Sequence, residues 1–294
     1  MIDLDGGERR TVHRGGAAPV ATADGHLLFV RGHTLYAMAF DPDEGMARGL
    51  PVLVMDDLAA SVGNQEDDDG SAQYAVDHHG TLFYLDSGGG LIENSQLTML
   101  DIVTGDTEDI GGLDLYRDLM MSPDGKMLAL SRGPYGEEDI YILELDSGNE
   151  TMLTRRRSVE YMGAWTPDSK EFIWSQGSDD GSHFELWRRR VDGATPAKYV
   201  ADMPIGSGAW ASDVSRDGRT LLVTVWEGAA LKNVHTLDLT AENPELVPFI
   251  DGPEDVWGPR FVGEGDYVMY QEQIPPLTHN LFLRRWPDTG AVWS

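Results

Sequence analysis

This chain reads as all-β, a six-bladed propeller of four-stranded blades. The first sign is a turn that recurs six times after a short apolar run, in the form Ser/Thr-x-Asp-Gly or a decayed version of it. The series is Thr22-Ala23-Asp24-Gly25, Asp77-His78-His79-Gly80, Ser122-Pro123-Asp124-Gly125, Thr166-Pro167-Asp168-Ser169, Ser215-Arg216-Asp217-Gly218 and Val262-Gly263-Glu264-Gly265. The second sign is the period: the last residues of these turns stand 55, 45, 44, 49 and 47 positions apart. A repeat in the forties with a strand on each side of the turn marks propeller blades. The third is size. Six such repeats use nearly all of the 294 residues, so residues 1–294 are expected to form one closed domain.

The third repeat shows the unit most clearly. Leu119-Met120-Met121-Ser122 is a short inner strand, and Pro123-Asp124-Gly125-Lys126 turns out of it. Proline fits the first central position of such a turn, and glycine accepts the positive φ that follows. Met127-Leu128-Ala129-Leu130 is the second strand, and the alternating run Asp139-Ile140-Tyr141-Ile142-Leu143-Glu144-Leu145 is the third. Asp146-Ser147-Gly148 then turns into a fourth strand at Thr151-Met152-Leu153-Thr154. The last repeat runs out near Trp293, while residues 8–13 form a spare strand ahead of the first blade. Pairing that spare strand with the incomplete sixth blade closes the ring and removes an exposed edge.

The Ser-Pro-Asp-Gly turn after an apolar pair, followed by a strand, a polar loop and Asp139-Ile140-Tyr141, resembles the TolB-like propellers with WD-like repeats. The stretch from Arg31-Gly32-His33-Thr34-Leu35-Tyr36 to Asp41, and Tyr116-Arg117-Asp118, are similar to propeller domains attached to bacterial Ser/Thr kinases. The resemblance covers the whole chain and implies the fold. For activity it implies a group that includes partner-binding, sensory and peptidase-associated propellers. It leaves periplasmic, extracellular and cytoplasmic locations open. The chain departs from the pattern at His78-His79, at Ser169 and in the sixth turn, which lacks Ser-Pro.

Composition sets limits on partners. The formal net charge is −28, with 50 acidic against 22 basic residues. Such a surface repels nucleic acid and anionic lipid. No run of 18 apolar residues is present, so no membrane insertion is expected. The first eight residues lack the basic and apolar regions of a signal peptide. There is no cysteine, hence no disulfide and no thiol chemistry. A monomer is expected.

Strand direction alternates within a blade, so its loops sort by parity. Loops joining one blade to the next share a face with loops between second and third strands, and the Asp-Gly turns take the other face. This parity places His33, His183 and His279 together, along with entrance-loop carboxylates that include Asp118, Glu160 and Asp255. Three imidazoles and several carboxylates around one mouth suggest a divalent metal site, zinc before calcium if histidines dominate. The expected ligands are His33, His183, His279, Asp118 and Asp255, with Asp118, Glu160 or Asp255 as base. Each histidine taken singly also fits a structural role, because third strands lie roughly 9–10 Å outward from the channel. The run 65–71 reads as an acidic flap, and His78-His79 as a turn variant. Trp257 fits either stacking on a ligand or packing between blades, as Trp165 and Trp210 are expected to do.

Two functions follow. One is a metal-dependent hydrolase of small ester or phosphoester substrates, with metal-bound water as nucleophile in the central funnel. The alternative is a non-catalytic propeller that binds a protein or peptide at its acidic mouth. No Gly-x-Ser-x-Gly elbow and no phosphate-cradling loop is present.

Overall fold

A computed structural model describes residues 10–22, 24–61, 71–77, 80–86, 94–102, 104–134, 136–155, 159–204, 207–227, 231–251, 254–274 and 278–287. The acidic run at 65–70 and the pair His78-His79 lie outside the described residues. The described residues contain strands and no helix, and so no helix long and apolar enough to cross a membrane.

Six four-stranded antiparallel sheets are present. Named from the channel outward, blade 1 is Ala17–Ala21, His26–Arg31, Thr34–Asp41 and Met46–Met55. Blade 2 is Tyr74–Val76, Thr81–Leu85, Leu97–Asp101 and Thr107–Asp109. Blade 3 is Tyr116–Met121, Met127–Arg132, Asp139–Glu144 and Glu150–Met152. Blade 4 is Glu160–Trp165, Glu171–Gly177, Phe184–Arg190 and Lys198–Asp202. Blade 5 is Ser207–Val214, Thr220–Glu227, Asn233–Asp238 and Leu246–Ile250. Blade 6 takes three strands from the end of the chain, Val256–Val262, Tyr267–Ile274 and Thr278–Arg285, and its outer strand from the start, Arg10–Arg14. A short hairpin, Ala60–Ser61 with Ser71–Ala72, stands between blades 1 and 2.

The spare N-terminal strand closes the ring as the sequence implied. Arg10 is registered with Leu283 and Arg14 with Asn280, and Gly16 N donates to His279 O at 3.0 Å. The blade order explains the burial pattern. Second strands are covered on both faces, so Leu27–Val30 are all buried and the stretch reads as an unbroken apolar run. Six apolar clusters fill the gaps between neighbouring blades, and the one joining Met269 and Leu283 to Leu27 and Phe29 seals blade 6 against blade 1.

The recurring turns are built by side chains. Ser122 Oγ donates to Asp124 Oδ1 at 2.7 Å and accepts Met127 N at 3.0 Å, fixing the turn from both sides. Thr166 with Asp168 and Ser215 with Asp217 repeat the contact at 2.8 and 2.6 Å. Gly25, Gly80, Gly125, Gly218 and Gly265 all have positive φ, and Ser169 holds the same conformation at +57°. These turns end the inner strands at one face. The opposite face, where the chain enters each blade, carries the candidate site.

Candidate functional site

Parity does bring the three histidines to the entrance face. His33 and His183 immediately precede the third strands of blades 1 and 4, and His279 is the second residue of the third strand of blade 6. They do not meet there. His33 Nδ1 lies 3.1 Å from the carbonyl of Leu58, whose N–H donates to His33 O, so the ring is fastened to the loop leaving blade 1. His279 is buried and stands edge-on to Trp257 at 6.2 Å. His183 is bracketed by Ser182 Oγ at 2.8 Å and Asp202 Oδ1 at 3.2 Å.

The expected carboxylates are similarly dispersed. Asp118 sits beside a bulge in the inner strand of blade 3, where its Oδ1 accepts Leu119 N at 2.8 Å. Asp255 Oδ1 accepts Lys232 N at 2.6 Å, and its carbonyl accepts Gln273 N, tying the entrance of blade 6 to blade 5. Glu160 is buried at the head of the inner strand of blade 4, registered with Gln176. The one group of three metal-capable residues among those described is His183, Glu185 and Asp202, whose ligand atoms lie within 4.8 Å of one another. It belongs to the third and fourth strands of blade 4, away from the channel axis. Glu185 is registered with Asp202, and its Oε2 also accepts Trp187 Nε1 at 2.7 Å.

Aromatic rings from the first and third strands of blade 4 and the first two of blade 5 gather toward the entrance face. Trp210 and Trp226 lie 4.3 Å apart between centroids. Tyr161 stands edge-on to Trp210 at 5.9 Å and stacks on Phe184 at 5.2 Å. All four are half-buried. Trp257 stacks on Trp210 from the buried side at 6.3 Å, with Lys232 Nζ 3.5 Å from its ring centroid. The Trp257 indole N–H is buried without a hydrogen-bond partner among the described residues. Of the tryptophans expected between blades, Trp165 is buried there and donates to Met120 O at 3.2 Å, and Trp210 also packs between blades, against Tyr161 of blade 4 and Trp257 of blade 6. Gly208 is registered with Trp226 and leaves room for its indole, a relation that the sequence alone does not signal.

Toward the Asp-Gly end of the same inner strand, Asp213 joins blades 5 and 6. Its Oδ1 accepts Val214 N at 2.9 Å and its Oδ2 accepts Phe261 N at 2.8 Å. Burial pushes this carboxyl above the usual carboxylate range, against the pull of Arg260 and of the two N–H groups. Nothing in the repeat pattern singles it out.

The same architecture appears among known proteins. Residues 115–272 match the family model of the prolyl oligopeptidase N-terminal β-propeller domain, more than half of the chain. The chain belongs to that propeller family. An uncharacterised protein of Agrobacterium fabrum is 26% identical over 162 residues, 52% of this chain and 54% of the relative. The chain therefore spans about half the length of that curated relative. TolB from Acinetobacter baumannii superimposes with a TM-score of 0.59 at 18% identity, over 92% of this chain and 64% of the other. XC5397, a gluconolactonase from Xanthomonas campestris, gives 0.61 at 15% identity over 94% and 89%. This propeller is thus TolB-like in architecture, and at such identities the likeness to solved structures shows the fold alone.

Proposed function

We propose that the protein is a recognition propeller that holds a segment of a partner protein against the mouth of its channel. The observation that carries this reading is the half-buried cluster of Tyr161, Phe184, Trp210 and Trp226. Aromatic rings offer large, rigid contact area with little rotamer freedom to lose, and they dominate recognition surfaces. His33, Asp118 and Asp255, which a metal centre would need, each hold a backbone group: His33 the Leu58 carbonyl, Asp118 the N–H of Leu119 and Asp255 the N–H of Lys232. The net charge of −28 disfavours nucleic acid as the partner. An unbiased peptide array probed with the purified protein tests the reading. Selected peptides whose binding is lost in Trp226→Leu support it; an array without binders overturns it.

A metal-dependent hydrolase of esters or phosphoesters is the second reading, favoured by the grouping of His183, Glu185 and Asp202. One imidazole and two carboxylates suit zinc better than calcium. Bound metal would supply Lewis acidity and an acidified water. The chain's own part would be to hold the ion from blade 4, with His183 kept from the expected ligand set and Glu185 and Asp202 replacing the rest. Among the expected bases, Glu160 is the one buried at the mouth. Turnover of an activated aryl ester or phosphotriester that chelator abolishes and zinc restores would put this reading first.

A further inference from the structure

We infer that the aromatic cluster at the mouth seats a cationic side chain, an arginine or lysine of the partner segment. The inference rests on the recognition reading and names its ligand chemistry. Aromatic faces carry the negative part of the ring quadrupole, so a cation over them is attracted. The molecule already makes this contact with itself. Lys232 Nζ lies over Trp257, and Trp257 stacks on Trp210, so an ammonium occupies the buried margin of the cluster. Tyr161, Trp210 and Trp226 are half-buried and carry the cluster on from that margin.

Charge selects among guests that could stack there. An apolar side chain would gain the rings and nothing from the field of the molecule. An acidic segment would be repelled by the net charge of −28, and a basic one steered in. On blade 4, the exposed Asp202, already 3.2 Å from His183 Nε2, adds negative charge beside the cluster. Arginine is the better guest, because its planar guanidinium stacks on rings and sheds water more readily than an ammonium does.

The test uses the whole chain and three capped tetrapeptides, Gly-Arg-Arg-Gly, its lysine counterpart and its citrulline counterpart. Citrulline keeps the planar shape of arginine and removes the charge. Tryptophan fluorescence and calorimetry should show the arginine peptide binding about tenfold tighter than the citrulline one at low salt. High salt should narrow that difference. Trp226→Leu should abolish the preference and Trp226→Phe, which restores a ring, should keep it. Equal binding of arginine and citrulline, or no binding of arginine, overturns the cationic seat. So does a preference that survives Trp226→Leu, which would place it on the acidic surface at large. If array peptides bind through Trp226 yet carry no basic residue, the cationic seat falls and the recognition reading stands. An array with no binders removes both.

Discussion

Trp226 lies across Gly208. The two are register partners in the first strand pair of blade 5, and a Cβ on Gly208 would fall 1.9 Å from Cζ2 of the indole. The indole therefore occupies the space that a side chain at 208 would claim, and from there it reaches Trp210, Tyr161 and Phe184. Gly208→Ala should expel the ring. We expect a loss of about 1–3 kcal/mol, the usual cost of forcing extra volume into a packed site. Near-ultraviolet circular dichroism should change with it, since coupled indoles dominate that signal. An alanine variant with unchanged stability and spectrum would show that the ring is not held by this pairing.

That pairing also explains what the sequence revealed and what it withheld. The turns are local: Ser122 reaches Asp124 and Met127 within one hairpin, so a four-residue pattern announces them. Closure was legible because residues 8–13 had no partner in a six-blade count, and the described strand Arg10–Arg14 takes that place. Strand parity put three histidines on one face. It could not say that His33 is captured by a carbonyl 25 residues away, or that His183 turns to a carboxylate in the next strand. The cluster depends on rings from blades 4 and 5 meeting, and on a glycine whose significance appears only once the register is known.

The fourth turn offers a test of strain against hydrogen bonding. Ser169 stands at φ +57°, where the other turns have glycine, and its Oγ accepts Asp124 N at 3.1 Å from the neighbouring blade. The left-handed conformation costs a non-glycine residue about 1–2 kcal/mol. The hydrogen bond contributes about 0.5–1.5 kcal/mol. Ser169→Ala loses the bond and keeps the strain, so denaturant unfolding should show it about 1 kcal/mol less stable. Ser169→Gly loses the bond but relieves the strain, and should stay close to the parent. If both variants fall equally, the conformation at 169 carries no measurable strain.

Removing residues 1–14 should open the ring. The third strand of blade 6, Thr278–Arg285, would then present its unpaired backbone to solvent, a template for strand addition by other molecules. Val12 would also leave the cluster that joins blades 6 and 1. We expect a lower melting temperature and concentration-dependent aggregation by light scattering. A truncated protein that remains as stable and as monodisperse as the full chain would contradict closure by this strand.

Asp213 should give the molecule a pH-dependent seam between blades 5 and 6. Its carboxyl is raised by burial in the folded state and not in the unfolded chain. The folded state therefore holds this proton more tightly. The contribution to stability is present in full below the ordinary carboxylate value and is lost as pH rises through the raised folded value. The whole molecule also becomes more negative over that range, so the comparison must be with Asp213→Asn, which removes one titration and leaves the rest. The difference in unfolding free energy between parent and variant should shrink as pH rises across that window. A difference that stays flat would mean that Asp213 titrates alike in both states.

Zinc should stabilise the chain through blade 4. An ion bound by the folded state alone adds its binding free energy to stability, and His183, Glu185 and Asp202 are within reach of one centre. Asp202 is largely exposed and already 3.2 Å from His183 Nε2, so binding exchanges that contact for two metal bonds with little movement of the strands. The melting temperature should rise with added zinc in the parent chain. His183→Ala should lose that rise while keeping its metal-free stability within about 1 kcal/mol, since a partly exposed pair of this kind contributes little. His33→Ala and His279→Ala should retain the zinc response, because neither ring belongs to the group. A zinc shift that survives His183→Ala would move the ion elsewhere, and one lost equally in all three variants would restore the ring of histidines first expected at the mouth.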